Sequence, residues 1–243
     1  MRKSMRAAAL LAGISMIALS PSAAFACACG CGIFEVGTAS MLPTSQGGMA
    51  WLEYDYMDQN QNWSGTHSAP AADNDDKEIR TNFWTAGGQY MFNRSWGAMV
   101  EVPYTDRDFK TEVGDGTAAY HEENLGDIRL RGIYSGFSED MSTGVTFGAK
   151  LPTGEYNNPD LDRDSSIGSG STDTLLGGYH MGSLFGNEVV NWFTNGQWDH
   201  PVAARDGYRP GDEIDAALGA YYNMGQVGQG KISPLLQLLF SRR

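Results

Sequence analysis

Apolar and polar residues alternate with a period of two along most of the chain beyond residue 47. In Ala50-Trp51-Leu52-Glu53-Tyr54-Asp55-Tyr56, one face carries Ala50, Leu52, Tyr54 and Tyr56, and the other carries Trp51, Glu53 and Asp55. A helix would scatter these carboxylates around its circumference, whereas a strand collects them on one side. Between Ser95 and Tyr104, Trp96, Ala98, Val100, Val102 and Tyr104 share a face that Glu101 avoids. Aromatic residues begin and end that stripe, as where a strand crosses both interfaces of a bilayer. The same rhythm sets Ile128 and Leu130 against Asp127, Arg129 and Arg131. It sets Val145, Phe147 and Ala149 against Gly144, Thr146, Gly148 and Lys150. Further on it sets Val190, Trp192 and Trp198 against Asn191, Asn195 and Gln197, and Ile214, Ala216, Leu218, Ala220 and Tyr222 against Asp215.

This pattern predicts nine strands, give or take one, near 48–57, 78–92, 95–106, 125–136, 141–151, 171–183, 187–198, 212–224 and 231–240. Most have the ~10 residues that a tilted strand needs to cross the hydrocarbon layer. Strands of a soluble β-sandwich run shorter, at ~5–6 residues. The links come in two sizes. Residues 92–95 and 136–140 are tight and turn-rich, while 58–77, 105–123 and 152–170 are long, polar and rich in Asp, Asn, Gly and Ser. Short turns at one end and long loops at the other are the habit of outer-membrane barrels. The expected fold is therefore all-β, an antiparallel up-and-down transmembrane β-barrel with about 8–10 strands present. The final strand, Leu235 to Phe240, runs straight into Ser241-Arg242-Arg243. An open edge would leave backbone groups unpaired in lipid, so either the barrel closes on this strand or further strands belong beyond it.

The first 26 residues read as an address. Arg2, Lys3 and Arg6 precede an apolar run from Ala7 to Leu19, and Ala24-Phe25-Ala26 supplies the small residues that signal peptidase recognises. The run falls short of the ~20 residues of a membrane-spanning helix, and no later window approaches that length. The expected organisation is a signal peptide over 1–26, a Cys-rich periplasmic segment over 27–47 and the barrel over 48–243, placed in the outer membrane of a Gram-negative bacterium. Composition adds two points. Glycine is abundant, with 31 in 243 residues, against an ordinary share of ~7%. The formal charge of −12 becomes −15 once the three leader bases are gone, which argues against a nucleic-acid partner. Outer-membrane lipids and a small-molecule solute are the partners this class implies.

Three stretches carry a resemblance: Leu125-Gly126-Asp127-Ile128-Arg129-Leu130, Phe147-Gly148-Ala149-Lys150-Leu151-Pro152-Thr153-Gly154 and Gly168-Ser169-Gly170-Ser171-Thr172-Asp173. Together they resemble outer-membrane proteins named for the meta-pathway of phenol degradation, often called simply transporters. The resemblance implies a strand, a strand ending at an outer loop and the returning strand. It also implies passage of small, in part hydrophobic, molecules. Members of that family end in further strands and a terminal aromatic residue, from which Arg242-Arg243 departs.

Candidate chemistry is sparse. All three cysteines, Cys27, Cys29 and Cys31, lie within five residues. They are too close and odd in number for a disulfide framework, but in an extended segment they project to one side as soft donors for Cu(I) or another thiophilic ion. No cofactor is otherwise required. The competing reading is a tail whose thiols oxidise or pair with another molecule. It accompanies an alternative function, a non-transporting surface protein with a metal- or redox-active tail. Asp160, Asp162 and Asp164 alternate as Ca²⁺ ligands do, without the Gly and Glu of an EF-hand. The four histidines are scattered, and no nucleophile elbow or phosphate loop appears, so no enzymatic activity is expected. In a barrel, the faces opposite the apolar stripes line the lumen. The lining candidates are Glu53, Asp55, Arg80, Gln89, Glu101, Asp127, Arg129, Arg131, Lys150, Asp173 and Asp215. Their mixed signs suit either a self-paired plug or a wet, charge-selective pore.

Overall fold

The computed structural model describes residues 41–243 apart from 65–66, 115, 160–165, 185, 187–188 and 228–229. The leader over 1–26, the cysteines Cys27, Cys29 and Cys31, and the loop carboxylates Asp160, Asp162 and Asp164 lie outside the described residues.

Ten strands form one antiparallel sheet: β1 (Gly47–Gln59), β2 (Glu78–Met91), β3 (Trp96–Val113), β4 (Gly116–Leu125), β5 (Ile128–Tyr134), β6 (Thr143–Leu151), β7 (Ser171–Ser183), β8 (Val190–Ala204), β9 (Glu213–Tyr222) and β10 (Leu235–Arg242). Each strand pairs with its neighbours in sequence, the up-and-down order expected. The exception is β3, long enough to pair with β5 along Trp96–Glu101 and with β4 along Tyr104–Val113. Pro103 sits at the changeover. Its carbonyl accepts from Gly126 N at 2.8 Å, and its missing N–H faces the gap between β4 and β5, where no ladder bond is needed. The segment 105–123, expected as a loop, is thus mostly strand. Its charges disguise an intact alternation, with Thr105, Arg107, Phe109 and Thr111 inward and Asp106, Asp108 and Lys110 outward.

The sheet is curled into a half-barrel. Arg131 on β5 donates to Gln197 on β8 at 2.9 Å, three strands away, a span of about 14 Å were the sheet flat. Among the described residues, β1 and β10 each pair on one side only. The convex face is apolar. Leu52, Val100, Leu130, Phe147, Leu176, Leu218, Leu236 and Leu238 are exposed there, the last two at 79% and 72%. Aromatic residues rim this belt. At the short-turn end Trp96 packs on Tyr134 and Tyr90 on Phe92; at the other, Tyr54 lies against Trp84 beside Tyr104. Trp96 and Tyr104 are eight residues apart, about 26 Å along the strand and about 20 Å along the normal at a ~40° tilt. No described helix is long and apolar enough to cross a membrane.

Short turns occupy one end. Asn93 Oδ1 accepts from Ser95 N and Trp96 N at 2.8 and 2.9 Å, and Ser138 Oγ accepts from Thr143 N at 3.1 Å, so side chains close these turns. The excess of glycine has a packing reason. A Cβ on Gly132 would enter the Phe147 ring, one on Gly144 the Tyr179 ring and one on Gly219 the Phe193 ring. Large rings on one strand are seated over bare backbone on the next.

Candidate functional site: a charged chamber on the concave face

The concave face differs from end to end. Toward the short turns it is apolar: Met91, Ile133, Met141 and Tyr179 form one cluster and Phe193 and Ala217 another, with Leu42 and Met181 against both. Met41 and Leu42 belong to the segment expected as a periplasmic tail, yet they lie inside the curl. With Met99, Tyr179 and Gln197 they border a cavity of about 60 Å³.

Toward the long loops the face is charged. Of the residues expected to line a lumen, Glu53, Asp55, Gln89, Glu101, Asp127, Arg129, Arg131, Lys150, Asp173 and Asp215 occupy concave-face positions. Arg80 does not. Ile79 and Thr81 point inward on β2, so Arg80 points outward, where it pairs with Asp58 at 3.6 Å and with Glu78. The reason is position along the strand: Arg80 lies beyond Trp84, outside the apolar belt, where the convex face is polar and an outward charge stays exposed. Around it the convex face is a polar ladder. Asp58, Arg80, Asp108 and His121 stand in register on β1 to β4, and His121 Nδ1 lies 2.9 Å from Asp108 Oδ1. That hydrogen bond, opposed by slight burial, raises the His121 pKa.

Inside, Lys150 Nζ lies 2.6 Å from Asp173 and 2.8 Å from Asp199, spanning β6, β7 and β8. Arg131 is nearly buried and holds Glu101 in an ion pair beside its bond to Gln197. Glu213 meets Arg243 at 3.0 Å. A buried carboxylate or guanidinium is tolerable only when paired in this way. Arg131, Glu101 and Gln197 border the smaller cavity beside Met41 and Leu42, and a cavity of about 200 Å³ nearer the loops has Arg107, Asp127, Arg129, Lys150, Asp173, Asp199, Glu213 and Arg243 as its charged lining.

Asp127 has a different task. Its Oδ1 accepts from Gly154 N at 3.0 Å, and its Oδ2 accepts from Ser169 N and Oγ at 2.8 and 2.6 Å. Thr153 Oγ1 accepts from Ile128 N and donates to Gly126 O, both at 2.9 Å. Gly154 and Gly168 meet backbone to backbone, where a Cβ on either would collide. The three stretches that carry the family resemblance therefore converge on one point, a clasp that ties residues 153–154 and 168–169, at the two ends of the long link, to residues 126–128. Ser166, Ile167, Gly168 and Ser169 are part of the chamber wall as a result.

Sequence reasoning missed Arg107, Asp199, Glu213 and Gln197. Parity would have found three of them: Trp198 faces outward, so Gln197 and Asp199 face inward, and Glu213 shares a face with Asp215. Among the described residues, no group of three or more His, Cys, Asp or Glu side chains is placed to hold a metal ion.

The described chain superposes on the crystal structure of the COG4313 outer membrane channel from Pseudomonas putida F1 with a TM-score of 0.60 and 15% identity, covering 85% of this chain and 76% of that one. The fold is that of an outer membrane channel. No protein-family model matches the sequence, and no curated protein matches it. The shared fold accounts for the inside-out distribution of polarity. In a lipid-facing half-barrel the apolar surface belongs outside and the polar groups inside, the reverse of a soluble sandwich.

Proposed function

We propose that the protein is an outer-membrane β-barrel channel for small solutes, exported by its N-terminal leader, with the loop-side chamber facing the exterior. The observation that carries this reading is the pairing of a rimmed apolar belt outside with a charged, loop-clasped chamber inside. The belt supports a lipid-facing sheet, since monomeric soluble proteins rarely leave so continuous an apolar surface uncovered. The short turns then face the periplasm, and the path from outside runs through the charged chamber to the narrower methionine-lined end. A solute would cross by exchanging contacts with fixed charges rather than by covalent chemistry.

The test is fractionation of the expressed chain followed by gel mobility with and without boiling, and by single-channel recording of detergent-extracted protein. Recovery in the outer membrane, a heat-dependent mobility shift and discrete conductance steps are expected. A product that stays in aqueous solution without detergent would overturn the reading.

A further inference from the structure

The charges of the concave face are sorted by strand. Arg107, Arg129, Arg131 and Lys150 stand on β3, β5 and β6, while Asp173, Asp199, Glu213 and Asp215 stand on β7, β8 and β9. Of the carboxylates beside the bases, Glu101 is committed to Arg131, Asp127 to the loop backbone, and Glu122 lies near Arg107, while Glu53 and Asp55 stand on β1, outside the chamber lining. Within the loop-side chamber Arg107, Arg129 and Lys150 line one wall and Asp173, Asp199 and Glu213 the other, while Asp127 is held by the loop backbone and Arg243 pairs with Glu213. The chamber therefore has little net charge and a strong field across its width.

From this sorting we infer that the chamber selects small zwitterions, solutes carrying an ammonium and a carboxylate a few bonds apart. The inference rests on the channel reading. A lone cation drawn to the β7–β9 wall is repelled by the bases opposite, and a lone anion meets the converse. A neutral solute sheds water on entry and gains no charge–charge contact in exchange. A molecule bearing both signs lies across the axis with each end against its complement, in a site dry enough for those contacts to matter. The cavity of about 200 Å³ is below the ~300–1,000 Å³ of drug-sized sites, which fits a solute of a few heavy atoms. Lys150 is the exchangeable element. Holding both Asp173 and Asp199, it can yield one carboxylate to an incoming ammonium and keep the other.

The experiment compares two isomers, β-alanine, which is zwitterionic, and lactamide, which is neutral. Entry of each is followed by swelling of liposomes reconstituted with the full chain. β-Alanine is expected to enter roughly fivefold faster, as a field fixed across a pore mouth favours the solute that complements it. Asp199→Asn leaves Lys150 its Asp173 partner, and Arg129→Gln thins the opposite wall; each should bring the ratio close to one. Arg80→Gln, on the convex face, should leave the ratio as it is. Equal entry of the two isomers into wild-type liposomes would overturn the inference while the channel reading stands. Retention of the preference in both lumen variants would overturn it as well. If neither isomer enters although the protein shows its heat-dependent mobility shift, the channel reading falls and this inference with it.

Discussion

The two halves of the concave face are held by different physics. At the short-turn end, Met91, Ile133, Tyr179, Phe193 and Leu42 pack as an apolar core, where each contact is non-directional and a lost methylene is a local loss. Beyond that core, Arg131 with Glu101 at its border and Lys150 with Asp173 and Asp199 nearer the loops form separate buried ion pairs, where each group is acceptable only because its partner is present. One half tolerates trimming, and the other tolerates exchange only in pairs. The smaller cavity lies at the apolar end, against Met41 and Leu42, and the larger at the charged end.

The comparison is broken most forcefully at Arg131. Glu101→Ala should lower unfolding free energy by about 3–5 kcal/mol, because a nearly buried guanidinium is left without its carboxylate. The double exchange Arg131→Met with Glu101→Gln should cost much less. Ile133→Val, in the apolar half, should cost about 0.5–1.5 kcal/mol and have no such rescue. Urea unfolding in micelles, followed by tryptophan fluorescence, reads all three, and equal losses for the single and double changes at the pair would erase the distinction between the halves. A smaller effect is expected at the clasp. Asp127→Asn keeps the side-chain shape but replaces an acceptor with an amide, at about 1–3 kcal/mol for the partners left unmet. Its signature is faster proteolytic nicking within 152–170, and unchanged nicking would show that Asp127 does not hold the loop.

The smallest effect belongs to the outward ladder. Asp108 beside His121 raises the imidazole pKa above its ordinary 6.5. The charged imidazole is therefore favoured in the folded state. Its contribution is complete below about pH 6.5 and fades as pH rises through the raised value. Thermal midpoints of wild type and Asp108→Asn should converge on going from acid to alkaline pH, with wild type higher only on the acid side. A gap that is constant with pH would detach His121 from the ladder's stability.

Strand identity and facing were legible because a barrel writes period two over long stretches, and each strand expected at 48–57, 78–92 and onward has its counterpart. Arg80 was misplaced because charge was equated with lumen, although parity with Ile79 and Thr81 already pointed it outward. The hairpin over 105–123 was hidden because above the belt both faces are polar, so alternation no longer shows as hydropathy. What no local pattern carries is curl. Arg131 and Gln197 are 66 residues apart in sequence, and only the accumulated bend of the intervening strands brings them together. The clasp was visible as three motifs and invisible as one structure for the same reason.

The glycines beneath Phe147, Tyr179 and Phe193 set terms on how this sequence can drift. Gly132 is spoken for by Phe147, Gly144 by Tyr179 and Gly219 by Phe193, so a side chain gained at one member is admissible only after its ring has shrunk. Such couples change together or remain as they are. Across descendants of this chain the two columns of each couple would rise and fall in step, and the adjacency of β5 to β6, β6 to β7 and β8 to β9 could be recovered from those columns alone.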